Sequence, residues 1–255
     1  MFIDYYKNDN IVLMTIINNL LTGCFFVKDI FYHKPYSGVN VMPNKYLDDL
    51  FVRYSDLCFL HDDLLNSFKI LKDCFTAGNT LFVCGNGGSA SDSEHIVGEL
   101  MKGFILSRRI SDEKLKNNLM QKFGNEGEFI VNKLQNGLRA ISLLSHPSLI
   151  SAYSNDVSAE MIFAQQLHVL SRPGDVLMAI TTSGNSLNVL RAVQLASAMG
   201  IKTILLTGSG GGKCAELADC SIKVPATETY KIQEYHLPIY HTLCLMLEDY
   251  FYGSR

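Results

Sequence analysis

"TLFVCGNGGSASDSEH", Thr80 to His95, decides how the chain is read. It opens on an apolar run as short as a buried strand, turns on a cluster of glycines, and continues into a helical pattern. The same sequence of events recurs further on. "LRAISLL" at 138–144, "DVLMAIT" at 175–181, "IKTILLT" at 201–207 and "CSIKVP" at 220–225 are strand-like, and "TLFVC" occupies 80–84. Helical stretches are expected at 89–104, 158–170, 186–199 and 231–251. Runs this continuous suit strands covered on both faces, which predicts an α/β fold with a parallel sheet and crossover helices. In such folds ligands sit beyond the carboxyl ends of the strands.

Two strand ends carry chemistry. The first is the elbow itself, where Asn86, Ser89 and Ser91 offer side-chain donors beside a helix start, a setting that suits hydroxyls or an anion. Gly85, Gly87 and Ala90 formally match a dinucleotide fingerprint, but the text near residue 105 is "FILSRR", without the acidic residue that fingerprint requires. The competing reading is a tight turn that needs glycine torsions. The second end is "TTSGNS", Thr181 to Ser186, just ahead of the helix "LNVLRAVQLASAMG". Thr181, Thr182, Ser183 and Ser186 crowd one helix N-terminus, where free N–H groups and hydroxyls make a phosphate seat without a lysine. One serine would serve as a plain N-cap; the other hydroxyls have no structural motive. "TGSGGGKC", Thr207 to Cys214, fails the phosphate-loop pattern at both ends and reads as a flexible strand-to-helix turn.

Composition bounds the rest. A 255-residue chain with 47% hydrophobic residues can bury one full core, and a net charge of −3 argues against a nucleic-acid partner. Seven cysteines, without CxxC pairing, read as buried thiols of a reducing cytoplasm. The apolar stretch Ile11 to Val27 is short for a membrane span and carries Asn18 and Asn19 at its centre, so a docking helix is expected, with no membrane partner. The start "MFIDYYKNDN" lacks the basic character of a signal peptide. Residues 1–43 form an N-terminal extension ending in a turn-rich connector, and 45–78 read as one or two amphipathic helices.

"CGNGGSASDSEH" and "TTSGNS" together, with "HIVGEL" (95–100), "SND" (154–156), "GDVLMAI" (174–180) and "KIQEYHLPIYH" (231–241), resemble the sugar isomerase (SIS) domain family, and within it the phosphoheptose isomerases. The resemblance spans 44–255, with an insertion at about 105–137. It implies a three-layer α/β/α sandwich with a five-stranded parallel sheet, N-terminal helices, and a homotetramer with active sites at subunit interfaces. It also implies aldose-ketose isomerisation of a sugar phosphate, sedoheptulose 7-phosphate first, through an enediol(ate). Thr181, Thr182, Ser183 and Ser186 would seat the phosphate, and Asn86, Gly87, Gly88, Ser89, Asn155, Asp156 and Gln233 would line the sugar. Glu99 and His241 would transfer protons; His95, Glu99, Gln233 and His241 would surround a Zn²⁺ ion.

The chemistry supports that transfer. Moving a carbonyl between adjacent carbons takes a base, an acid and stabilisation of an enediolate. His95 and Glu99, four apart on a helix, share a face, while Gln233 and His241 lie about 80° apart around theirs. Two imidazoles, a carboxylate and an amide suit a borderline metal. Taken alone, a helical His/Glu pair is a surface polar pair. His33, His61, His146, His168 and His236 read as structural.

Three departures from the family stand out. "ELMKGF" replaces an "ELxGR" segment, so an arginine is absent and Lys102 stands nearby; Pro238 falls inside the last helix, where it is expected to kink the chain between Gln233 and His241; and the insertion reads as added helices. A non-catalytic SIS-type regulatory module is the alternative from another class, with no need for all four of His95, Glu99, Gln233 and His241. A sugar-phosphate lyase on the same fold is the third.

Overall fold

A computed structural model describes residues 5–7, 10–12 and 44–253. Strands β1 (Tyr5–Lys7) and β2 (Asn10–Val12) pair antiparallel. The expected docking helix over Ile11 to Val27 is therefore wrong at its first two residues, which belong to a paired strand; 13–27 lie outside the described residues. The body then follows in the order α1 (Asn44–Arg53), a 3-10 turn at Ser55–Leu60, α2 (His61–Thr76), β3 (Leu81–Gly85), α3 (Gly88–Met101) and α4 (Glu113–Lys133). After these come β4 (Ala140–Ser142), α5 (Pro147–Tyr153), α6 (Ile162–Leu170), β5 (Val176–Ile180), α7 (Leu187–Ala198), β6 (Lys202–Thr207), α8 (Gly212–Ala215), β7 (Cys220–Lys223) and α9 (Thr229–Tyr252).

The five later strands form one parallel sheet in the order β4-β3-β5-β6-β7. Their side chains alternate between two cores, as the two-residue period of a strand demands. Leu81, Val83, Met178, Ile180, Ile204 and Leu206 face the layer of α1, α2, α3 and α9, whereas Phe82, Cys84, Leu177, Ala179 and Leu205 face that of α6 and α7. Burial on both faces explains why each strand reads as an unbroken apolar run. Five thiols, those of Cys74, Cys84, Cys214, Cys220 and Cys244, are buried in these layers.

The strand order places the functional ends. Counted from β3, the sheet runs 2-1-3-4-5, so the chain reverses its direction of growth between β3 and β5. The crevice that opens there, at the carboxyl ends, is where doubly wound sheets bind ligands. Gly85 pairs with Ile180 across it, which brings the glycine elbow and "TTSGNS" side by side.

Two sequence expectations need correcting. α9 runs unbroken through Pro238; the ring removes the hydrogen bond to the Glu234 carbonyl, but Thr242 Oγ1 donates to the Pro238 carbonyl at 2.8 Å, and His236, Pro238, Ile239 and Tyr240 are buried. Packing keeps the segment helical where the proline alone would end it. "GSGGG" is likewise no loose turn, as the site below makes plain.

The insertion folds as α4, broken by Gly124 at φ 51. Its second arm folds back so that Gly127 meets the Leu119 carbonyl, leaving no room there for a side chain. Leu115, Met120, Phe123 and Phe129 are exposed on it. At its base Asn136 N donates to the Arg108 carbonyl at 2.6 Å, and Asn136 Nδ2 to the Arg109 carbonyl at 2.9 Å.

Candidate active site

The elbow after β3 is built on glycines, each for a different reason. Gly87 has φ 57, a left-handed conformation that side chains disfavour. A Cβ on Gly88 would lie 2.5 Å from Gln233 Nε2, so the α9 amide rests directly on the backbone of the elbow. Asn86 exchanges two hydrogen bonds with Asn188 of α7, Nδ2 to Oδ1 at 2.8 Å one way and 2.9 Å the other. Ser89 is buried at 3% exposure under the turn, its amide bonded to the Asn86 carbonyl.

The bend after β5 does not behave as a helix cap. Ser186 occupies the N-cap position of α7, yet its side chain accepts no bond from the helix; it pairs with Thr181 Oγ1 at 3.1 Å. Ser183 Oγ accepts from Asn185 N at 3.2 Å. The hydroxyls therefore stand beside a 12-residue helix and take none of its first-turn N–H groups; Val189 N donates to Asn188 Oδ1 at 3.0 Å and Leu190 N to the Ser186 carbonyl at 2.9 Å, so among the described residues the amides of Leu187 and Asn188 are the ones left for a ligand. Gly184, at φ 66, is pressed against the backbone of Gly211 and Gly212, and its carbonyl accepts from Cys214 N at 3.0 Å. Asn185 Oδ1 accepts from Lys213 N at 3.1 Å. Gly211 and Gly212 are thus a buttress behind the bend, and Gly212 is small because its backbone meets that of Ser183 and Gly184.

Behind the elbow, α3 and α9 bring together most of the titratable set. His95 Nε2 lies 3.3 Å from Glu99 Oε1, and the His95 and His241 rings are 5.0 Å apart at 88°. His241 also packs on Phe104 and Tyr240, at 5.3 and 5.0 Å between ring centres. Burial and then the neighbouring His95 hold His241 below the ordinary imidazole range, against the pull of Glu99. Its Nε2 is buried without a hydrogen-bond partner among the described residues. Lys102 Nζ donates to Glu99 Oε2 at 2.7 Å, so the lysine beside the missing arginine engages the carboxylate itself.

Four residues outside the expected set complete the cluster. Tyr240, 1% exposed, sits between His95 Nδ1 at 3.0 Å and Asp92 Oδ1 at 3.2 Å. Burial, then the Asp92 charge, push its phenol up, so it stays an O–H. Burial raises the Asp92 carboxyl, opposed by Tyr240 and His95. Arg108 and Glu248 form a buried ion pair at 2.8 Å, and Arg108 caps the end of α3 through the carbonyls of Leu100 at 2.8 Å and Glu99 at 3.3 Å. Asp92 was findable, since 92, 95 and 99 fall on one helical face. Arg108, Glu248 and Asn188 left no local signal.

Not every expected residue joins the cluster. Gln233 reaches the elbow at Gly88 and bonds to none of His95, Glu99 or His241 among the described residues. Asn155 and Asp156 sit exposed in a π turn at Ser154–Ser158, where Asn155 Nδ2 donates to Asp156 Oδ1 at 2.8 Å. Thr182 is tied to β6, its carbonyl accepting from Gly208 N at 3.1 Å. Among the described residues, no three His, Cys, Asp or Glu side chains are placed to hold one ion. The donor types nevertheless fit a borderline cation: two imidazoles in ring contact, one with a buried orphan nitrogen, beside a carboxylate already paired with a positive charge.

The strand order, the switch-point crevice and the two loops flanking it define a SIS-type α/β domain, and the SIS domain family model matches residues 147–248. A phosphoheptose isomerase of Akkermansia muciniphila is 34% identical over 201 residues, covering 79% of this chain and 92% of the relative. One of Geotalea daltonii is 38% identical over 187 residues, covering 73% and 83%. Among solved structures, a phosphoheptose isomerase from Francisella tularensis superposes with TM-score 0.63 at 28% identity, covering 81% of this chain and 96% of that one. Another from Neisseria gonorrhoeae gives 0.62 at 27%, covering 80% and 95%. The chain belongs to the phosphoheptose isomerase family.

Proposed function

We propose that the protein interconverts a ketose phosphate and an aldose phosphate, with sedoheptulose 7-phosphate and D-glycero-D-manno-heptose 7-phosphate as the first pair to test. The observation that carries this reading is the unspent hydroxyl bend: Thr181 and Ser186 bond each other and leave the first two amides of α7, Leu187 and Asn188, uncapped by a side chain, next to the strand whose following helix carries the His95, Glu99 and His241 cluster. A phosphoryl group on the bend, held also by Thr182 and Ser183, directs the sugar across the elbow past Asn86, Gly87 and Gly88.

Glu99 takes the proton from C1 of the ketose, the electron pair forms the C1–C2 double bond, and the C2 oxygen carries the enediolate charge. Neutral His241 relays the O1 hydroxyl proton to O2. Glu99 then returns its proton to C2 as the C1 oxygen closes to a carbonyl, which leaves the aldose and both residues as they began. His95, Glu99, Gln233 and His241 are the groups that would hold Zn²⁺, which when bound supplies polarisation of the sugar oxygens. A homotetramer with active sites at subunit interfaces, in the cytoplasm, completes the reading. It agrees with the finding that no helix among the described residues is long and apolar enough to cross a membrane.

Incubation with sedoheptulose 7-phosphate and a panel of shorter ketose phosphates, with and without chelator, tests it by detection of the aldose. Glu99→Gln and His241→Ala are each expected to abolish turnover in a folded protein; turnover in either variant refutes its role.

A further inference from the structure

Tyr240 has one proton to give and two neighbours to satisfy. Its hydroxyl lies 3.2 Å from Asp92 Oδ1 and 3.0 Å from His95 Nδ1, and the ring is enclosed between α3 and α9. An ionised carboxylate only accepts, so the phenol proton points at Asp92. The phenol oxygen is then left to accept, and among the described residues the one donor available to it is Nδ1–H of His95. That tautomer strips the proton from Nε2, whose lone pair faces Glu99 Oε1 across 3.3 Å.

We infer that Asp92 and Tyr240 are positioning residues that hold His95 as its Nδ1–H tautomer and so present Nε2 as a bare acceptor toward Glu99. Two acceptors facing each other attract positive charge; the Lys102 ammonium on Glu99 Oε2 offsets part of the repulsion in the metal-free protein, and a metal ion would fill the gap itself. The Asp92–Tyr240–His95 chain is therefore what makes the gap a cation seat. It corresponds to the carboxylate-to-histidine support that orients metal-ligating imidazoles, with a phenol inserted. Imidazole free in water favours the opposite tautomer, so the preference has to come from these two side chains. The inference deepens the isomerase reading, but the tautomer is readable without metal or substrate.

The test uses the metal-free protein with ¹⁵N-labelled histidine, above the imidazole titration range, and reads the long-range ring correlations of His95, assigned with His95→Gln. The wild type is expected to show a protonated Nδ1 and a bare Nε2. Tyr240→Phe, and as a second variant Asp92→Ala, are expected to move the proton to Nε2. Asp92→Asn, which keeps an acceptor oxygen, is expected to retain the wild-type pattern. An Nε2–H signal in the wild type would mean that Asp92 carries the proton and would overturn the inference, as would a tautomer unmoved in both variants. Titration with Zn²⁺ should show Tyr240→Phe binding about 10–100-fold more weakly than the wild type. Equal affinity counts against the seat. A wild type that binds no Zn²⁺ overturns the seat and the metal reading together, while the ring spectra still decide the tautomer.

Discussion

Asn86 and Asn188 face each other across the switch point and exchange both halves of their amides, at 2.8 and 2.9 Å. The pair ties the elbow after β3 to the first turn of α7, and so fixes the distance between the sugar loop and the phosphate seat. Neither residue need move for the other to bind. Asn188→Leu removes both bonds and leaves Asn86 free to rotate. Steady-state kinetics are expected to show KM for the sugar phosphate rising about tenfold, one to two kcal/mol of lost hydrogen bonding, with kcat falling less. An unchanged KM would separate the two loops functionally.

Gly88→Ala is a sharper probe because helix propensity and function pull in opposite directions. Alanine at the first position of α3 should favour the helix, but its methyl group takes the place of the Gln233 amide. The amide is the end of a flexible side chain and swings aside at small cost. Thermal denaturation is expected to be unchanged or improved, while kcat/KM falls about tenfold or more through misplacement at the site.

The Arg108–Glu248 pair predicts a larger loss of stability. Burial alone would raise the Glu248 carboxyl, yet the amides of Ile105 and Phe104 and the guanidinium outweigh it and hold the carboxyl below its usual range. Arg108→Met abandons a buried carboxylate and should cost about 3–5 kcal/mol in chemical denaturation. Converting Glu248 to Met as well should not restore the loss, because the amides of Phe104, Ile105 and Leu106 then lose their acceptor. Recovery in the double variant would show that the ion pair alone mattered.

His236 gives a pH signature. It is fully buried on α9; among the described residues neither ring nitrogen has a partner at bonding geometry, although the Thr207 carbonyl is near enough to favour the charged form slightly. Burial lowers it from 6.5 to about 4. Between those values the unfolded chain binds more protons than the folded one, so stability falls as pH drops through the window and levels off below it. The full effect is on the order of 3 kcal/mol. His236→Gln cannot titrate there, and the difference between its unfolding free energy and the wild type's should shrink by that amount from pH 6.5 to 4.

Local signals made much of this legible. Each sheet strand announces itself as a run buried on two faces, and the pairing of Gly85 with Ile180 follows once the two loops are recognised as neighbours. Hydroxyls in excess of a cap marked the bend. Other features depend on partners distant in sequence. Pro238 stays helical because of what packs on it, Gly212 is small because of Gly184, and Arg108 is buried because Glu248 arrives 140 residues later. The helix at 147–153 leaves no trace in the sequence pattern, its seven residues too few to display a period.

The base of the insertion is stitched shut, with Asn136 bonded to the carbonyls of Arg108 and Arg109 on the opposite strand of chain. The whole excursion therefore hangs from a clasp, and both its ends leave the domain at one point. A short turn, or a foreign domain whose termini lie close together, could be spliced across that clasp without opening the sheet. The enzyme thus carries a ready socket for a passenger beside Glu99.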